Sequence, residues 1–132
     1  MILNLWAKRE KSLLNKLRLI TGEEPQKCYQ CGACTAGCPS AEEMDILPNQ
    51  VMMSLIEGEV TPLLDTKTIW ICVSCYQCAT RCPQGIDIAR IMEGLRTVKL
   101  RQNYDALKIT EKPDLKEYPT ILMVASMRKL TP

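Results

Sequence analysis

The sequence predicts an all-α domain wrapped around two metal clusters, and three observations predict it. Eight cysteines stand in two runs of identical spacing, at 28, 31, 34, 38 and at 72, 75, 78, 82. The segments that join and flank those runs carry apolar residues at helical intervals. Alternating stretches bounded by turn residues, the signature of strands, are scarce.

The cysteine runs come first because they dictate the rest. Each reads C-x2-C-x2-C-x3-C and is followed by a proline, Pro39 or Pro83. That is the iron–sulfur spacing of bacterial-type ferredoxins. Close spacing lets one turn of backbone wrap three corners of a cubane, and in two-cluster proteins the fourth cysteine ligates the other cluster. The expected ligand sets are therefore Cys28, Cys31, Cys34 and Cys82 for one [4Fe–4S] cluster, and Cys72, Cys75, Cys78 and Cys38 for the second. A disulfide framework also uses an even number of cysteines, but thiols three residues apart in repeated triplets are poor partners for their neighbours. Zinc accepts tetrahedral sulfur too. Its structural sites pair two short cysteine hairpins, or one hairpin with histidines, and have no use for four cysteines in eleven residues twice over. Small residues around the first run (Gly32, Ala33, Thr35, Ala36, Gly37) let backbone N–H groups approach the sulfides. The second run is bulkier, with Val73, Ser74, Tyr76, Gln77, Thr80 and Arg81, so the two clusters are expected to differ in potential by an amount of unknown sign.

Length and composition narrow the function. At 132 residues with 46% apolar content, the chain is expected to form one compact domain with a tail. Seventeen Lys and Arg stand against 15 Asp and Glu, which argues against a nucleic-acid binder working by phosphate neutralisation. Eight thiolates and two oxidised cubane cores would turn the formal +2 into roughly −2. Histidine is absent, so metal chemistry runs through cysteine and carboxylate. No apolar run is long enough to span a membrane, and residues 1–9 lack the order of a signal peptide. A cytoplasmic setting, where thiols stay reduced, is expected.

Residues 1–22 read as an amphipathic helix, with Leu3, Trp6, Leu13, Leu14, Leu17 and Ile20 on one side, basic residues elsewhere, and Gly22 as its stop. Such a helix can lie on a membrane, though its commoner use is packing on its own domain or a partner. Residues 23–102 form the cluster domain. Within it Pro48 suits a first helical turn, Val51, Met52, Leu55 and Ile56 make an apolar face, and Gly58 suits the end. A short helical stretch leads through Ile69-Trp70-Ile71 into the second run. Asp87 caps a helix over residues 88–101, with Ile88, Ile91, Met92, Leu95 and Val98 inward and Arg90, Glu93, Arg96, Thr97 and Lys99 towards water. Residues 103–132 are an irregular tail broken by Pro113, Pro119 and Pro132. In it Ile121-Leu122-Met123-Val124-Ala125 reads equally as strand or helix, and its apolar residues mark it as a docking segment. The class expected is the helical-ferredoxin type. There is no G-x-G-x-x-G, no P-loop and no paired Cys-Cys, hence no visible site for making or breaking a substrate bond.

Over roughly residues 25–100 the chain resembles the C-type iron–sulfur subunits of heterodisulfide reductase and its relatives. The likeness rests on Cys28-Tyr29-Gln30-Cys31-Gly32-Ala33-Cys34 with Gly37-Cys38-Pro39, on Met44 through Val51, and on Thr68 through Cys72 with Cys82 through Ile88. The resemblance implies a non-catalytic electron-transfer subunit in a hetero-oligomer. It would relay electrons through two [4Fe–4S] clusters between two heterodisulfide reductase-like partners. One is the A-type partner, which bears flavin and clusters. The other is the B-type partner, which carries CCG motifs and converts a disulfide or another sulfur substrate. The alternative is a free, diffusing two-cluster carrier of the ferredoxin kind. The basic first helix and the apolar tail favour the docked form.

Overall fold

The structure, a computed structural model, describes residues 2–101 and 119–127. Its described secondary structure is helical: α1 (Ile2–Thr21), α2 (Ala33–Ala36), α3 (Pro48–Glu57), α4 (Thr61–Leu64), α5 (Thr68–Ile71), α6 (Gln77–Arg81), α7 (Ile88–Leu100) and α8 (Thr120–Met127), with 3-10 turns at Pro25–Lys27 and Ala41–Glu43. No strand occurs among the described residues. No described helix is long and apolar enough to cross a membrane.

The chain divides into two units, Met1–Leu100 and Arg101–Pro132. In the first, α7 is the central rod. Its predicted apolar stripe (Ile88, Ile91, Met92, Leu95, Val98) is buried, together with Ala89 and Gly94, and packs against α1, α4, α5 and α6. Asp87 caps it, its Oδ1 accepting from the Arg90 N–H at 3.0 Å. Opposite lie Val51, Met52 and Leu55 of α3, then Val60, Leu63 and Ile69, all fully buried. Pro48 opens α3, Gln50 Oε1 accepts the Leu47 N–H at 2.9 Å, and Gly58 closes it with φ 87°. There the Glu59 N–H reaches back to Ser54 O at 2.8 Å, satisfying a terminal carbonyl.

α1 ends at Gly22, as expected, and Leu13 and Ile20 of its expected face pack against the core. Leu14 and Leu17 enter the core, whereas Trp6 is half exposed. Glu10, an acid in a basic helix, is buried instead. Its carboxylate accepts the Val60 N–H at 2.6 Å, the Thr61 N–H at 3.1 Å and the Thr61 hydroxyl, and so caps α4 across fifty residues of chain. Burial alone would raise this carboxyl, but the bonds from Thr61 and Val60 outweigh it and hold the group below its ordinary 4.5. Farther along, α1 meets α7 where Gly94 leaves room, since a Cβ there would strike the Thr21 and Leu17 side chains.

In the second unit the described element is α8, a helix where sequence pattern left strand and helix open. Ile121 and Val124 on it are exposed.

Candidate metal centres

The two cysteine runs follow the same backbone path. In each, the second residue after the first cysteine is left-handed, Gln30 (φ 61°) and Ser74 (φ 53°), as is the residue after the second cysteine, Gly32 (φ 77°) and Tyr76 (φ 61°). Those turns fold the loop back on itself, and a short helix then begins that carries the third cysteine, Cys34 on α2 and Cys78 on α6. Cys38 and Cys82 follow the ends of these helices. α2 packs directly on α6, which brings the end of each run to the loop of the other.

The eight thiols line two pockets. Cys28, Cys31, Cys34 and Cys82 surround one, with Gln30, Asn49 and Ile86. Cys38, Cys72, Cys75 and Cys78 surround the other, with Met44, Tyr76 and Met92. Ile88 lines both. Among the described residues no three acidic, cysteine or histidine side chains converge closely enough to hold one ion, so the thiols frame a space and not a point. Cys34 is buried, Cys31 and Cys75 are exposed, and the rest are half-buried.

Neither lining includes a basic side chain. Burial pushes the Cys78 thiol up to about 11, with the neighbouring Cys72 adding to it against the N–H groups of Ala79 and Ala89. Burial raises Cys34 too, and the neighbouring Cys28 adds to this against the Thr35 hydroxyl and N–H. Four thiolates in one such pocket repel one another and need a cationic core at their centre. Soft sulfur donors in fours, with no nitrogen ligand, suit an iron–sulfur core, so the donor set fits the cofactor that the spacing predicts.

Further N–H groups point at sulfur in the first pocket. The Gln30 main-chain N–H and side-chain Nε2 donate to Cys28 Sγ at 3.4 and 3.6 Å, and the Ile86 N–H donates to Cys82 Sγ at 3.4 Å. Of the small residues around the first run, Thr35 donates to the Cys34 thiol through its hydroxyl and N–H.

Two supports for the second pocket escaped sequence reading. Arg96, expected to face water, is half-buried, and its guanidinium donates to the carbonyls of Ile69 and Cys72, clamping α5 into the second run. The aliphatic stem of an arginine packs readily under such a head group, which a helical wheel does not register. Asp45 caps α5: its carboxylate accepts the Lys67 and Thr68 N–H groups, each at 2.9 Å, and the Thr68 hydroxyl. The Thr68 hydroxyl bond and the Lys67 N–H lower this carboxyl from 3.8 to about 2. Asp45 belongs to the Met44–Val51 stretch that carried the family likeness, a signal that pointed to it without its role.

The comparisons with known proteins agree with this chemistry. Residues 24–86 match the family described as a 4Fe-4S dicluster domain. The chain is 35% identical over 81 residues to the C-type iron–sulfur subunit of the CoB–CoM heterodisulfide reductase of Methanopyrus kandleri, covering 61% of this chain and 42% of that protein. It is 35% identical over 94 residues to the second C-type iron–sulfur subunit of the CoB–CoM heterodisulfide reductase of Methanocaldococcus jannaschii (68% and 50%). It is also 35% identical over 83 residues to the C-type subunit of the ferredoxin:CoB-CoM heterodisulfide reductase of Methanosarcina acetivorans (63% and 33%). The chain spans half or less of the length of these relatives.

Proposed function

From a chain that belongs to the family of C-type heterodisulfide reductase subunits, two-[4Fe–4S] electron-transfer proteins, we propose a relay that works inside a larger complex. Cys28, Cys31, Cys34 and Cys82 hold one cluster, and Cys72, Cys75, Cys78 and Cys38 hold the other. When bound, the clusters supply one-electron carriage without proton transfer. The chain's own part is to hold the thiolates, exclude bulk water and keep the two sites adjacent. One observation carries the reading: two four-thiol pockets, each drawing on both runs, share Ile88 as a wall. Tunnelling decays exponentially with distance, so sites with a common wall exchange electrons readily.

The relay runs between the flavin- and cluster-bearing A-type partner and the CCG-motif B-type partner, which acts on a disulfide or another sulfur substrate. This chain is the non-catalytic member of that hetero-oligomer and works in the cytoplasm. The support is its kinship with iron–sulfur subunits of heterodisulfide reductases, together with eight free thiols. Residues 1–22, 23–102 and 103–132 act as N-terminal helix, cluster domain and docking tail, the last supported by the exposed Ile121 and Val124.

The test is anaerobic purification of the tagged chain from its native source. About eight iron and eight sulfide per chain and co-purifying flavin and CCG proteins are expected, with the complex lost when residues 113–132 are deleted. Cys82→Ser should damage the cluster nearest Cys28, not the one nearest Cys78. Recovery of the chain alone would favour the diffusing carrier. Stoichiometric zinc without acid-labile sulfide would end the reading.

A further inference from the structure

The two runs repeat one backbone path, so their residues can be compared position by position. Gln30 corresponds to Ser74, each being the second residue after its run's first cysteine, and both are left-handed. A side chain in that region is strained, by roughly 1–2 kcal/mol relative to the ordinary helical conformation. Residues held so at a working site point to a use for the side chain.

The use differs between the copies. Gln30 lines its pocket, and its main-chain and side-chain nitrogens both donate to Cys28 Sγ, at 3.4 and 3.6 Å. The Ile86 N–H adds a third contact to the same thiol set, at 3.4 Å on Cys82 Sγ. Serine at 74 lacks the reach of glutamine and is not among the residues lining the second pocket. That pocket is walled by Met44, Val73, Tyr76 and Met92. Backbone N–H groups beside the third cysteine, from Thr35 and from Ala79, are common to both, and the Thr35 hydroxyl on Cys34 is offset by the Ala89 N–H on Cys78.

An N–H dipole aimed at sulfur stabilises the more electron-rich state, and so raises the reduction potential of the cluster that sulfur serves. An apolar wall does the opposite by denying solvation to the added charge. We propose that Gln30 is a redox-tuning residue, and that it makes the cluster at Cys28, Cys31, Cys34 and Cys82 the higher-potential of the two. This rests on the ligand sets proposed above. The single electron of the half-reduced protein then resides at that cluster, and the flow within the chain runs downhill from the pocket at Cys72 to the pocket at Cys28. Arg96 opposes this, because its positive charge lies against the Cys72 carbonyl. Its N–H groups are directed at carbonyls and not at sulfur.

The experiment is an EPR-monitored titration of the full-length holoprotein with dithionite, Cys28→Ser serving to identify which signal belongs to which cluster. Gln30→Gly keeps the left-handed turn and the main-chain donor while removing only the side-chain amide. Gln30→Met keeps the length but not the donor. Both should hold their iron and lower the midpoint of the Cys28 cluster alone. Ser74→Gln should raise the other midpoint or leave it unchanged, and should not lower it. In the same samples, the iron–sulfur stretching bands should lose part of their shift in D2O on losing the amide. Unchanged midpoints in both Gln30 variants with iron retained would overturn the proposal, as would a wild-type Cys28 cluster that reduces last. If Cys82→Ser instead alters the signal that Cys28→Ser leaves intact, the ligand sets are wrong, and the Gln30 shift remains readable on its own.

Discussion

Replacing Glu10 by alanine should cost the folded protein about 3 kcal/mol. Glu10 is 5% exposed, and its carboxylate accepts three hydrogen bonds from the start of α4. Val60 is fully buried, so its N–H would be left without a partner, at about 1–3 kcal/mol. Thr61 is only half-buried and can turn to water, so the loss there resembles that of an ordinary helix cap, about 1 kcal/mol. Alanine is the better helix former, which returns a few tenths. For a unit of this size each kilocalorie moves the melting temperature by roughly 4–8 °C, so Glu10→Ala should melt roughly 12–24 °C below wild type. Glu10→Gln retains one acceptor oxygen and should fall between. Far-UV circular dichroism of the anaerobic holoprotein reads the transition, with visible absorbance following the clusters. A Glu10→Ala protein that melts with the wild type would refute the reasoning, because it would mean that α1 does not anchor α4 in solution.

Two further outcomes follow from the same packing. Asp45 has its folded pKa depressed to about 2 from 3.8, so its stabilisation is complete above 3.8 and lost as pH falls through 2. The melting gap between wild type and Asp45→Asn should therefore be constant at neutral pH and narrow in acid, and a gap that widens in acid would contradict the assignment. Gly94→Ala should destabilise by about 1–3 kcal/mol despite the better helix propensity of alanine, because the new methyl meets Thr21 and Leu17. A variant as stable as wild type in the same melts would place α1 farther from α7.

The helices at 48–57 and 88–100 were legible because proline, glycine and aspartate mark their ends and apolar residues recur on one face. Spacing likewise pointed to the clusters. What the pattern hid were charged residues used inward. Glu10 in a basic helix and Arg96 on a polar flank both read as solvated, and only tertiary contacts show them bound to backbone groups. Cys28-Tyr29-Gln30-Cys31 recurs as Cys75-Tyr76-Gln77-Cys78, but the two stretches are not counterparts. Tyr29 lies in the first loop of its run and Tyr76 in the second, so the true counterpart of Tyr76 is Gly32. A tyrosine held left-handed where its twin is glycine is a local conflict that sequence rules would reject.

The interleaving of the two runs also bears on how the protein is made. A nascent chain leaving the ribosome presents Cys28, Cys31 and Cys34 early, but the thiol that completes their pocket is Cys82, more than forty residues later. The second pocket likewise waits for Cys72, Cys75 and Cys78 to join Cys38. With the ligand sets proposed above, neither half would be charged with metal as an independent module during synthesis. Delivery by a scaffold protein would then meet a chain already folded back on itself, and a product truncated before residue 78 would lack a thiol from each pocket.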